Sequence, residues 1–223
     1  MYEFTLLRHG ESQGNVEAKH QGQSEFPLTV LGRQQAQALA DRWGVEGRSF
    51  DHVFSSPLQR ASQTAEIVNA VLKAPIAFDN VWSERHLGEL TGLTHEEGKT
   101  RVPPPAFLNP YEPYGNTGEG QWQLFLRAGT ALQKLLMLPD GKYLVVSHRG
   151  FLGMLMYAIF GISPHANFQG PRFHFQNTGF ARLTYDRERH QWRLFAFNDL
   201  HHLASLVSEP ATFESSGVVT DSS

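Results

Sequence analysis

The sequence predicts an α/β fold, a sandwich of helices around a mainly parallel sheet, and three observations predict it. Short apolar runs rich in β-formers alternate with segments of helical period along the chain. Two of those runs, YEFTLL and KYLVV, lead into an Arg–His pair followed by Gly, as RHG at 8–10 and SHRG at 147–150. In open sheets of this class ligands bind beyond the carboxyl ends of the strands, which is where both histidines would stand.

Each element has its own signal. Tyr2–Leu7 is short, apolar and strand-like, and the Gly- and Gln-rich, aperiodic stretch 10–28 reads as a loop. Thr29–Trp43 has helical period, with Thr29 as N-cap and Leu31, Ala38 and Leu39 facing inward. Asp51–Ser55 is a second strand. In the helix that follows, Ser56 fits the N-cap, Pro57 the first helical position and Gln59 the reciprocal capping position. Its buried stripe is Leu58, Ala61, Ala65, Val68 and Leu72, and Arg60 lies off that stripe. Pro75–Phe78 and Tyr143–Ser147 read as strands, Gly120–Leu138 and Phe151–Phe160 as helices, and Thr178–Tyr185 with Gln191–Phe197 as a terminal hairpin. Residues 101–118, RVPPPAFLNPYEPYGNTG, form a Pro-rich aromatic insert without period, of a kind often functional. From Ser208 the chain is polar and Ser-rich, and 208–223 reads as a disordered tail after a single domain over 1–207.

The totals narrow the function. With 40% hydrophobic and 18% charged residues in 223, this is the composition of a globular protein with a real core. A net charge of -3 offers no general polyanion surface, so nucleic acid is not an expected partner and any phosphate recognition must be local. The absence of cysteine excludes thiolate nucleophiles and Cys-ligated metals. The N-terminus lacks a signal-peptide pattern, and FLGMLMYAIFGI is too short to span a bilayer, so a cytoplasmic protein with no membrane partner is expected.

Arg8, His9, Arg60 and His148 would then converge at strand ends. Guanidiniums supply fork-like donors suited to phosphate oxygens. An imidazole flanked by cations stays uncharged at neutral pH and can attack phosphorus, while a second can donate to a phosphoryl oxygen. Phosphoryl transfer needs mostly positioning and charge neutralisation. A departing alkoxide needs a proton from a carboxylic acid, and Glu11, Glu84, Glu89, Glu96, Glu97 and Glu119 all qualify on residue type. His9, His148 and Glu84 could count as metal ligands, but two permanent cations beside them would repel a divalent ion.

LLRHGES…N, PLTVLGRQQAQALA, SSPLQRASQTA, SERHLGELTG and VVSHRG, in that order, resemble the motifs of the histidine phosphatase superfamily, also called phosphoglycerate mutase-like. The resemblance covers roughly Tyr2 to Leu203 outside the Pro-rich insert, and NDLHHL at 198–203 resembles the family's ending. It implies a three-layer α/β/α fold and a phosphohistidine intermediate, with no metal and no cofactor. By position in those motifs, His9 takes the place of the nucleophile, Arg8 and Arg60 of the phosphate-binding arginines, and His148 of the second pocket histidine. Glu84 falls where the family keeps its proton donor, Asn15 near the phosphate, and Gln21 where a substrate-facing polar residue is common.

The cofactor-dependent mutases of the family carry ERHYG where this chain has ERHLG, with Leu87 for Tyr, and a longer insert with paired arginines. Here the insert offers only Arg101. The expectation is therefore a metal-independent phosphomonoesterase of the histidine acid type, acting on a small phosphorylated metabolite, with Arg85 and Arg149 as further contacts to an acidic substrate. The alternatives are a phosphoglycerate mutase and, from another class, a non-catalytic phospho-ligand-binding scaffold. Nothing in the sequence reads out an oligomeric state.

Overall fold

A computed structural model describes residues 1–207, so the expected tail at 208–223 lies outside the described residues. In chain order the elements are β1 (Tyr2–Arg8), α1 (Gln13–Val16), α2 (Val30–Val45), β2 (His52–Ser55), α3 (Gln59–Leu72), β3 (Ile76–Phe78) and α4 (His95–Arg101). There follow α5 (Gln121–Leu136), β4 (Lys142–Ser147), α6 (Arg149–Phe160), β5 (Phe180–Asp186), β6 (Gln191–Asp199) and α7 (Ala204–Val207). The six strands form one mixed sheet in the order β3-β2-β4-β1-β5-β6. The β3-β2-β4-β1 part is parallel, and the expected hairpin β5–β6 adds on through an antiparallel β5.

Period-two alternation assigns side chains to the two faces. Tyr2, Phe4 and Leu6 of β1 join Val145 of β4 in a core with Leu124, Phe151 and Leu155 from α5 and α6. Leu7, Leu144 and Val146 point the other way, into a second core with Leu39 and Trp43 of α2 and Ala61 and Val68 of α3. Each such buried side chain contributes roughly 1.5–3 kcal/mol, so the two cores fix which helix pair covers which face. The result is the α/β/α layering the sequence implied.

Several details differ from the sequence reading. Leu31 is exposed, and the inward face of α2 is Gly32, Ala36, Leu39, Ala40 and Trp43. The helix starts against the backbone that follows β1: a Cβ on Gly32 would lie 1.9 Å from the Glu11 carbonyl oxygen, so small residues must face inward there. Thr29 does cap α2, accepting from the Gly32 N–H at 2.9 Å. Secondly, α3 begins at Gln59 with Leu58 as its N-cap, and Ser56 makes no cap to it beyond a 3.3 Å contact from the Leu58 N–H, because its hydroxyl serves another partner. Thirdly, Arg60 is buried at 1% exposure, not off the covered face. Lastly, the stretch 10–28 contains the single turn α1, and α6 begins at Arg149, two residues earlier than expected.

The insert after α4 has no helix or strand until α5, yet it is tied down. The Leu108 N–H donates to Asn167 Oδ1 at 2.7 Å, the Asn167 N–H donates back to the Leu108 carbonyl at 2.9 Å, and the Trp122 N–H donates to the Pro110 carbonyl at 2.8 Å. Among the described residues no helix is long and apolar enough to cross a membrane, and FLGMLMYAIF forms the buried helix α6.

Candidate active site

The carboxyl ends of the neighbouring strands β1 and β4 deliver Arg8–His9 and His148, and the first turn of α3, after β2, delivers Arg60. All four side chains are buried. The imidazoles of His9 and His148 lie with ring centres 5.2 Å apart. Arg8 donates through one terminal nitrogen to the Phe175 carbonyl at 2.9 Å. Arg60 donates to the carbonyls of Gly22 at 2.7 Å and Ser24 at 2.9 Å, which is why a cation can sit under the face of α3. The remaining Nε of Arg8, Nε of Arg60 and Nδ1 of His148 are buried without a protein partner. Unpaired buried donors are costly, and such N–H groups on neighbouring side chains suit an oxyanion.

Charge and burial set the protonation of the group. Burial pushes the His9 imidazole well below its usual 6.5, helped by Arg8 and Arg60 and opposed by the bond to Gly10. His148 is likewise pushed well below by burial, then by Arg60, His9 and Arg8. Both are neutral at pH 7. Arg8, lowered to about 10 by burial and then Arg149, and Arg60, lowered to about 10 by burial, remain cations there.

Hydrogen bonds then select the tautomers. His9 Nδ1 is 2.6 Å from the Gly10 carbonyl, so it must be the protonated nitrogen, leaving the Nε2 lone pair free. His148 Nε2 is 2.8 Å from Ser56 Oγ, and that hydroxyl already accepts from the Leu58 N–H at 3.3 Å. The Ser56 hydroxyl keeps one O–H and one lone pair for this contact, and when the O–H donates to Nε2, His148 carries its proton on Nδ1, which has no protein partner.

The cleft in front of this group has a volume of about 450 Å³, and Arg8, Arg60, Gln21, Glu84, Arg85 and Arg149 line it. Of the six carboxylates open on residue type, only Glu84 is on its wall. Glu11 accepts from Thr29, Glu89 from Asn116, Glu96 from Lys99 and Glu97 from Thr94, and Glu119 pairs with Arg127. The Glu84 carboxylate accepts three backbone N–H groups: Arg85 at 2.8 Å, and Gly150 and Phe151, both at 3.0 Å. It thereby caps α6, which explains the early start of that helix. A Cβ on Gly150 would come within 2.5 Å of Glu84 Oε1, so that glycine is the condition of the close approach.

The weaker candidates separate. Ser12 Oγ lies 2.9 Å from Asn15 Oδ1 and 2.8 Å from Gln21 Oε1; Gln21 reaches the cleft wall, and Asn15 does not. Arg149 opens α6 and also lines the cleft. Arg85 is half-buried, its guanidinium 5.1 Å from the Tyr114 ring centre and 5.6 Å from that of Phe168.

Sequence reasoning missed the supports. Arg127 pairs through two nitrogens with Glu119 and donates to the carbonyls of Val81, Ser83 and Glu84, fixing the backbone that carries Glu84. Thr64 Oγ1 accepts from the Gly10 N–H at 3.0 Å, and Asn177 Nδ2 donates to the His9 carbonyl at 3.1 Å. Thr64 sits one turn after Arg60, the one local hint available. In the NDLHHL ending, Asp199 forms a two-point ion pair with Arg42 of α2, and Asn198 Oδ1 accepts from the Gln176 N–H.

Comparison with known proteins places this geometry in context. The profile of the histidine phosphatase superfamily (branch 1) matches residues 4–199. The chain is 34% identical over 214 residues to the protein named "Probable phosphoglycerate mutase GpmB" from Photorhabdus laumondii, covering 91% of this chain and 95% of that one. Among solved structures it is similar to Bacillus stearothermophilus YhfR, with TM-score 0.76, 28% identity, and 91% and 100% of the two chains covered. It is also similar to the phosphoserine phosphatase of Entamoeba histolytica in complex with 3-phosphoglyceric acid, with TM-score 0.75, 25% identity, and 91% and 100% covered. A third likeness is to the mycobacterial glucosyl-3-phosphoglycerate phosphatase in complex with VO3, with TM-score 0.74, 27% identity, and 89% and 99% covered.

Proposed function

Because the chain belongs to the histidine phosphatase superfamily, branch 1, we propose that it is a metal-independent phosphomonoesterase working through phospho-His9 on a small phosphorylated metabolite. The observation that carries this reading is the pair of buried imidazoles with ring centres 5.2 Å apart, flanked by two buried guanidiniums whose Nε atoms have no protein partner. His9 Nε2 attacks phosphorus, the N–P bond forms as the ester P–O bond breaks, and the leaving alkoxide takes a proton from the Glu84 carboxyl. Water then attacks phosphorus, its proton goes to the Glu84 carboxylate, and the P–N bond breaks to release phosphate. Arg8, Arg60 and His148 Nδ1–H hold the phosphoryl oxygens throughout. Gln21, Arg85 and Arg149 face the alcohol part from the cleft wall, and Asn15 and Gln21 both stand against the Ser12 hydroxyl. The phosphatases among the similar structures support hydrolysis, and one domain over 1–207 holds every residue named.

A second reading has its own support: the curated relatives named probable phosphoglycerate mutase are the more similar in sequence. A mutase returns the phosphoryl group to another hydroxyl of the substrate and depends on a bisphosphorylated primer. The discriminating assay is phosphate release from p-nitrophenyl phosphate and from metabolite phosphates in EDTA, with and without 2,3-bisphosphoglycerate. Hydrolysis in EDTA without the bisphosphate supports the phosphatase. Interconversion of phosphoglycerates only with the bisphosphate overturns it in favour of the mutase.

A further inference from the structure

Glu84 lies in a stretch without helix or strand, just after the short 3₁₀ turn Asn80–Trp82, so regular backbone bonding does not set its position. Side chains do. Arg127 of α5 donates to the carbonyls of Val81 at 2.9 Å, Ser83 at 2.7 Å and Glu84 at 3.2 Å. Its other two bonds go to Glu119, from Nε to Oε1 at 2.8 Å and from Nη2 to Oε2 at 2.7 Å. The Trp82 carbonyl between them accepts from Ser147 Oγ at 2.6 Å. A guanidinium carries five N–H donors, and these bonds use all five. Arg8 and Arg60 each keep a buried Nε without a protein partner, as a ligand-binding cation would. Arg127 keeps no donor for a substrate.

The same guanidinium meets the far side of the acid. Its centre is 4.9 Å from the ring centre of Phe151, whose N–H is one of the three that the Glu84 carboxylate accepts. Arg127 thus touches both the backbone that carries Glu84 and the residue its carboxylate caps. Glu119 is tied to the same stretch, its N–H donating to the His86 carbonyl at 2.8 Å. It follows directly on the Pro-rich insert, whose Gly115 carbonyl accepts from the Glu89 N–H at 3.0 Å. Asn116 Nδ2 of the insert donates to the Glu89 carboxylate at 2.9 Å. The Arg127 and Glu119 side chains are only 20% and 15% exposed, so removing one leaves a poorly solvated charge unpaired.

We propose that Arg127 and Glu119 are positioning residues for proton transfer: they hold Glu84 within reach of the ester oxygen and take no part in binding phosphate. The inference rests on the phosphatase reading, in which Glu84 protonates the leaving alkoxide. A proton donor acts through geometry before acidity, and a misplacement of about 1 Å costs on the order of 10²-fold. Loss of the brace weakens that proton transfer and leaves the attack of His9 on phosphorus largely as it was.

The test compares kcat/KM, which reports formation of the phosphoenzyme, for glycerol 2-phosphate and p-nitrophenyl phosphate. Only the first has a leaving group that needs a proton. Arg127→Ala is expected to lower the glycerol phosphate value about 10- to 100-fold and the nitrophenyl value by about 3-fold at most. Glu119→Gln, which removes the charge and keeps the shape, should act in the same direction by about 3- to 10-fold. In a Glu84→Gln background Arg127→Ala should add about 3-fold at most to the glycerol phosphate loss, because the donor it positions is gone. Equal losses on the two esters overturn the proposal, as does an undiminished Arg127→Ala loss in the Glu84→Gln background. If Arg127→Ala fails to fold, Glu119→Gln, alone and in that background, decides by the same criteria. If the natural protein hydrolyses neither ester, the phosphatase reading fails, and a crystal structure of Glu119→Gln decides the hold on Glu84. A carboxylate displaced from the Gly150 and Phe151 amides then supports the brace, and an unmoved one overturns it.

Discussion

His9 and His148 occupy matching places at the ends of adjacent parallel strands, each beside an arginine and a glycine, yet they are held by different partners. His9 donates from Nδ1 to a backbone carbonyl, and His148 meets a serine hydroxyl at Nε2. In the proposed mechanism one imidazole presents a lone pair where the other presents an N–H. On that proposal the same residue type in the same topological position serves as a nucleophile in one case and a donor in the other, and the difference rests on a neighbour one hydrogen bond away.

The sharpest way to break this contrast is to remove each ring in turn. His9→Ala is expected to reduce turnover of p-nitrophenyl phosphate about 10⁴-fold or more, since no other group supplies the lone pair. His148→Ala is expected to cost roughly 10²–10³-fold, the usual loss for one transition-state donor. Equal losses in steady-state assays would contradict the division of roles. Next comes Glu84→Gln, which keeps the shape of the side chain but removes the proton. It should lower turnover of an alkyl phosphate about 10²-fold or more and of p-nitrophenyl phosphate much less, because nitrophenolate leaves without help. A uniform loss across both esters would assign Glu84 to positioning alone.

Smaller effects test the supports. Ser56→Ala frees His148 to adopt either tautomer and should cost about 10-fold in kcat with KM little changed. Gly150→Ala should cost a similar factor, about 10-fold, by pushing the Glu84 carboxylate off α6 while leaving the circular dichroism spectrum intact.

The pH dependence has a definite sign. Both imidazoles have folded pKa values well below the ordinary 6.5, so the unfolded chain binds more protons as pH falls through 6.5. Their contribution to stability is complete above 6.5 and declines below it until the folded pKa values are reached. Urea unfolding of natural protein and His148→Ala between pH 7.5 and 5 would show this as a shallower pH slope in the variant; identical slopes would refute it.

What the sequence revealed followed from chain-local signals. RHG and SHRG could be placed at strand ends because strand period and topology place them there. Glu84 could not be chosen from six carboxylates by chemistry alone, since its selection depends on N–H groups 66 and 67 residues away. Arg60 fell off the buried stripe because helical periodicity counts apolar residues, and its burial depends on carbonyls offered by the 22–24 loop. Leu31 looked inward for the same reason, whereas backbone-to-backbone contact at Gly32 left no room for any side chain. The Arg127–Glu119 brace joins segments far apart in sequence, and no pattern in either segment announces it.

Glu84 also has a consequence beyond chemistry. A carboxylate accepts hydrogen bonds at both oxygens, and a carboxylic acid gives up part of that capacity to carry its proton. In the proposed cycle the side chain alternates between the two states while it also closes the first turn of α6. The amides of Gly150 and Phe151 therefore act as a resident gauge of the reaction. Their chemical shifts and hydrogen-exchange rates should change with each protonation step, so the progress of a proton can be followed from the backbone of a helix.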